Sequence, residues 1–144
     1  MKFWFVLGAI LAGLSVAAGA FAAHGLDGYF TQKYGAETRV VAGREMLRSE
    51  KSLHDFQTGA EYQMFHSLAL LAVGLLEARR RSVFTRIAGW SFVFGIVLFS
   101  GSLYVLTITG VSKWGMVTPL GGLCFLIGWT ALALAGMKHD KALP

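Results

Sequence analysis

The chain of 144 residues is 55% hydrophobic and only 15% charged, with 18 glycines and a mean hydropathy of +0.57. These values exclude a disordered protein and fit an ordinary soluble domain poorly. A single cysteine, Cys124, excludes an intrachain disulfide framework and a cysteine-rich metal site, while the formal charge of +5 leaves nucleic acid or an anionic membrane as partner until the cations are placed.

A hydrocarbon core of about 30 Å takes about 20 mostly apolar residues of helix. The first stretch of that kind, 3–23, is uncharged throughout. Met1-Lys2 before it and Ala20-Phe21-Ala22 at its end resemble a secretory signal, but the run exceeds the usual apolar length of about 7–15 residues and only one lysine precedes it, so a retained span is expected. The outer segment 27–53 follows, with weak helical periodicity that puts Val40 and Leu47 on one face; a surface-lying helix and a solvated loop with a frayed helix both fit. Ser52, with Asp55 three residues on, reads as a capping box that would start a helix one turn before Gln57. The apolar run Phe65 to Leu76 is too short to cross alone, so a second span over 57–76 has to carry Glu61, Gln63 and His66. A third span covers 87–106. Gly110 and Gly115 then bracket an outer turn with Lys113 and Trp114, and Thr118-Pro119 opens a fourth span over 117–137. The expected architecture is one all-α membrane domain, a compact bundle of four transmembrane helices.

Short basic loops stay cytoplasmic, so Arg79, Arg80, Arg81 and Arg86 place the loop between spans two and three inside. Both termini then lie inside, in agreement with Lys2, Lys138 and Lys141. The segment from Asp27 to Asp55 opposes this with Lys33, Arg39, Arg44, Arg48 and Lys51, matched by Asp27, Glu37, Glu45, Glu50 and Asp55. The excess positive charge thus becomes a topology signal, with the lipid bilayer rather than nucleic acid as partner.

Close helix approach in lipid relies on small residues. Gly8, Ala12, Ser15, Gly19 and Ala22 form one narrow stripe on span one, which a cleaved signal has no reason to carry. Ser91 and Gly95, then Ser100, Gly101 and Ser102, do the same on span three, and Gly121, Cys124 and Gly128 on span four. Spacing does not say whether a stripe packs within one chain or between chains; several stripes on four helices point to a homo-oligomer or to other membrane proteins.

Ionisable groups inside a span are costly and usually face a partner or a water-filled cavity. His66 falls near the midplane and Glu61 about 6 Å inside the outer boundary, on a different face. His24, Glu61, Tyr62, Gln63, His66, Ser100, Ser102 and Tyr104 all gather toward the outer side, which predicts an outward-facing polar pocket. Three uses are open: a small-ligand or lipid-headgroup site; a proton or ion relay through His66 and Glu61, as in a small oligomeric transporter or proton-coupled channel; or hydrogen-bond glue between helices. No closely spaced ligand motif supports a metal site of His24, Glu61 and His66, and no nucleophile, phosphate loop or dinucleotide fingerprint calls for an enzyme or a cofactor.

Four stretches together are distinctive: Gly19-Ala-Phe-Ala-Ala-His-Gly-Leu26, Tyr62-Gln-Met-Phe-His-Ser-Leu-Ala-Leu-Leu71, Phe99-Ser-Gly-Ser-Leu-Tyr104 and Thr118-Pro-Leu-Gly-Gly122. In this order the chain resembles the domain-of-unknown-function 423 family of small bacterial inner-membrane proteins, similar to the eukaryotic transmembrane-protein-256-like group. Ala22 stands where that family usually has glycine, and the segment 27–53 is longer than usual. The resemblance implies a four-helix protein of the bacterial inner membrane with span one retained and no assigned activity. It places the eight polar residues in or beside recognisable motifs without giving any of them a role.

Overall fold

The computed structural model describes residues 2–137. Its elements in chain order are helix α1 (Lys2–Phe21), a π-helical turn (Ala22–Leu26), α2 (Asp27–Tyr34), strands β1 (Thr38–Val41) and β2 (Arg44–Leu47), α3 (Arg48–Arg79), α4 (Val83–Gly95), a second π turn (Ile96–Ser100), α5 (Gly101–Thr109), a 3-10 turn (Ser112–Met116) and α6 (Thr118–Met137). Three continuous helical runs, Lys2–Tyr34, Val83–Thr109 and Ser112–Met137, are long and apolar enough to cross a membrane. The fourth rod, α3, has 32 residues and lies antiparallel to α1: Gly8 meets Ser67, Leu70 and Leu71, and Gly74 meets Phe5.

The outer segment departs from expectation. The first helix does not stop at residue 23 but continues through the π turn into α2, whose Phe30 and Tyr34 bury with Ala22, Leu26 and Phe56 in a second core at the hairpin end. After Gly35 the chain forms a two-stranded hairpin, with Thr38 opposite Leu47 and Val41 opposite Arg44. The two-residue turn Ala42-Gly43 has φ of 51° and 78°, the positive pair that matches strand twist in tight hairpins. A glycine at only one of these positions made the signal weak in the sequence.

The capping box expected at Ser52 is not a helix start. Helix α3 already begins at Arg48, where the hairpin feeds into it through Arg48 N–H to Glu37 O (2.8 Å), and Ser52 lies buried one turn inside. The cap found is at the other end of the bundle: Ser82 and Thr85 form a reciprocal capping box that starts α4 before the expected third span. Thr118 does open α6, with its hydroxyl 2.8 Å from that of Ser102 on the neighbouring helix.

The inner core joins all four rods through Trp4, Leu70, Val73, Ala88, Phe92, Ile96, Phe125 and Ala131. Glycines set its spacing. A Cβ on Gly95 would fall 2.3 Å from the Phe125 ring, one on Gly128 2.6 Å from Phe92, and one on Gly89 2.6 Å from the indole of Trp4. Of the stripe on span one, Gly8, Ser15 and Ala22 are buried and Ala12 is half-buried. Gly8 and Ser15 contact α3, so this stripe packs within the chain. Gly19 departs from it: nothing approaches its missing Cβ within 4 Å.

Candidate functional site

The polar residues of the bundle interior are assembled by α1, α3, α5 and α6. Gln63, on the α3 face turned to α1, donates through Nε2–H to Leu11 O (2.9 Å) and accepts through Oε1 from the Tyr104 hydroxyl (3.0 Å). One amide thereby ties three helices together. One turn nearer the hairpin, Ser15 donates to Ala60 O (2.7 Å), so a residue expected only to pack also bonds across the interface. Tyr104 rests its ring on Phe56, with centroids 4.7 Å apart.

His66 lies on a different face of α3, against α6. Its ring stacks on Phe125 at 3.3 Å with planes 5° apart. Nδ1–H donates to Tyr62 O (2.6 Å), and Nε2 accepts from the indole N–H of Trp129 (3.2 Å). These two contacts fit the neutral Nδ1–H tautomer, with both ring nitrogens used. Trp129 was missed in the sequence; its signal is an indole N–H halfway along an otherwise apolar span, a donor to which lipid offers no acceptor.

The eight residues expected to share one pocket occupy several surroundings. Gln63 and Tyr104 form the tie to α1. His66 and Tyr62 belong to an aromatic stack with Phe99 and Phe125, Tyr62 and Phe99 being 4.6 Å apart. Ser102 donates to Phe99 O and meets Thr118, whereas Ser100 is fully buried in the second π turn with no hydrogen-bond partner for its hydroxyl. His24, in the first π turn, is exposed, and so is Glu61, which shares an outward face of α3 with Phe65, Leu68 and Leu75. The physical reason is close packing: Gln63, Tyr104 and His66 reach groups on neighbouring helices and bond to them instead of leaving a shared space between.

Cavities lie at the ends. At the hairpin end a space of about 40 Å³ is lined by Tyr34, Arg48, Lys51, Asp55 and Thr107 among others. Its charges are largely paired, Arg48 with Glu37 at 2.6 Å and Lys51 with Asp55. At the opposite end a groove of about 600 Å³ runs between the start of α1 and the loop joining α3 to α4. Neither is lined by any of the eight residues. Among the described residues, no group of three or more His, Cys, Asp or Glu side chains is placed to hold a metal ion.

Apolar helical runs of spanning length, with large hydrophobic side chains such as Phe5, Ile10, Leu14, Val97 and Leu126 turned outward, define the chain as an integral membrane protein. It belongs to the family described as "Protein of unknown function (DUF423)", which matches residues 18–122. The chain is 40% identical to the UPF0382 membrane protein YwdK of Bacillus subtilis over 140 residues, 96% of this chain and 99% of that one. It is also 40% identical to the UPF0382 membrane protein SERP0230 of Staphylococcus epidermidis, over 96% and 98% of the two chains, and 41% identical to a UPF0382 membrane protein of Haemophilus influenzae, over 88% and 86%. No solved structure gives a significant match.

Proposed function

We propose that this chain is a non-enzymatic four-span protein of the bacterial inner membrane, with both termini cytoplasmic, that binds or organises membrane components and does not pass ions. The observation that carries this reading is the engagement of the buried polar groups: Gln63, Tyr104, Ser15 and both nitrogens of His66 already bond to protein partners. A relay through His66 would have to break one of these bonds at each transfer. The fourth span is α3, which pairs with α1 along its length although its charges lower its hydropathy. In purified protein reconstituted in liposomes, an imposed proton or sodium gradient is expected to decay at the rate of empty vesicles.

A second reading, an oligomeric transporter, draws on Glu61, an acidic side chain on an outward face beside Phe65 and Leu68. A second copy could bury it. Flux above empty vesicles that is lost in Glu61→Gln or His66→Ala would establish this rival and overturn the first reading.

The orientation rests on Arg79, Arg80, Arg81 and Arg86 at the α3–α4 end. Lys138 and Lys141, which also supported it, lie outside the described residues. With Cys124→Ser as background, the thiol of Lys113→Cys is expected to react with a membrane-impermeant maleimide in intact cells and that of Arg80→Cys only after lysis. The reverse pattern would invert the orientation.

A further inference from the structure

The groove at the α3–α4 end divides its chemistry between two walls. One wall is aromatic: Phe3, Trp4 and Trp90 meet edge to face or tilted, with Phe3–Trp4 centroids at 4.8 Å and Trp4–Trp90 at 5.4 Å. Trp4 anchors this wall, because it is buried and its indole occupies the space where Gly89 lacks a side chain. The other wall carries Arg81 and Arg86, both exposed, and Glu77, which has a partner of its own. Two guanidinium groups against one carboxylate leave the groove net positive. Its volume is about 600 Å³.

We propose that this groove is a binding site for an anionic phospholipid of the cytoplasmic leaflet. A lipid phosphate matches the fork of donors that arginine presents, and a guanidinium bonds it in two directions at once. The glycerol and first chain carbons lie along the Phe3–Trp4–Trp90 wall, where amphipathic rings suit the boundary between headgroup and hydrocarbon. Basic pockets between helices on the cytoplasmic side are suited to such headgroups. A zwitterionic lipid would bring its own cation beside the two arginines, so the net positive charge selects an anionic one. A free phosphate would use the arginines and leave the aromatic wall without a role. The inference deepens the proposed function by naming a membrane component, and it rests on that reading only for the leaflet.

The test uses the full chain in a neutral detergent with equimolar phosphatidylglycerol and phosphatidylcholine, the retained lipids being counted by native mass spectrometry. Wild type is expected to prefer phosphatidylglycerol on the order of tenfold. Arg81→Gln with Arg86→Gln is expected to abolish the preference. Arg79→Gln with Arg80→Gln removes equal charge outside the groove and is expected to keep it. No preference in wild type, or equal loss in both double variants, would overturn the site. Displacement of phosphatidylglycerol by excess inorganic phosphate would mark a soluble anion as the occupant and overturn the lipid assignment. If the groove variant fails to fold, quenching in wild type reads the same preference: brominated phosphatidylglycerol should quench indole fluorescence more than brominated phosphatidylcholine, and Trp90→Phe should reduce the excess, with Trp4 reporting the remainder. Equal quenching would count against the proposal. A gradient test in liposomes has no bearing on this result, so either reading can fail alone.

Discussion

Gly121→Val is expected to lower stability by about 3 kcal/mol, the upper part of the range for overpacking, while Gly122→Val beside it changes stability by less than about 0.5 kcal/mol. The two substitutions are chemically identical and one residue apart on α6. A Cβ at Gly121 would lie 2.4 Å from the backbone N of Phe99, 2.7 Å from its Cβ and 2.8 Å from its Cα. None of these is the end of a flexible side chain, so α6 and the second π turn would have to separate. That separation would reach the Ser102–Thr118 contact one turn to one side and the Gly95–Phe125 contact one turn to the other. At Gly122 nothing lies within 4 Å, and valine has a slightly better helix propensity than glycine, by a few tenths of a kcal/mol. Thermal unfolding in detergent reads the pair, and equal losses at the two positions would show that helix chemistry outweighs helix contact.

The same glycines show how far the sequence could be read. Spacing identified Gly121, Gly128 and Gly8 as close-approach positions, because small residues on one helical face have little other use in a bilayer. It could not say what enters each gap. Phe92, Phe99 and Phe125 interlock with glycines across α4, the π turn and α6, and only the relative rotation of the helices decides that phenylalanine meets glycine there. Gln63 shows a similar limit. Its place inside a span followed from the length of the apolar run, and a partner was required by burial. The partners, Leu11 O and Tyr104, depend on the register of α3 against two other helices. An outward polar pocket was inferred from shared depth alone, and shared depth leaves open whether polar groups surround a space or close it. The hairpin was hidden for a different reason: its strands are four residues each and mostly exposed, so they carry no hydrophobic alternation to reveal them.

His66→Ala is expected to cost about 3 kcal/mol, comparable to truncating a buried aromatic ring. His66→Phe is expected to cost only about 1 kcal/mol, from the loss of two interhelical or backbone hydrogen bonds that average about 0.6 kcal/mol each in a membrane. The difference follows from what the ring touches. Phe125 lies flat against it at 3.3 Å, with Phe92 at 5.7 Å and Trp129 at 6.0 Å, so alanine opens a void among three aromatic side chains. Phenylalanine refills that void but leaves the Trp129 N–H without its acceptor. Trp129 is 46% exposed, but midway along a span that exposure faces lipid, which offers its N–H no other acceptor. Trp129→Phe should then be nearly neutral in the His66→Phe background but cost about 0.6 kcal/mol in the wild type, a coupling that a double-mutant cycle measures. If His66→Phe proves as damaging as His66→Ala, the hydrogen bond from Trp129 and not the stack holds α3 to α6.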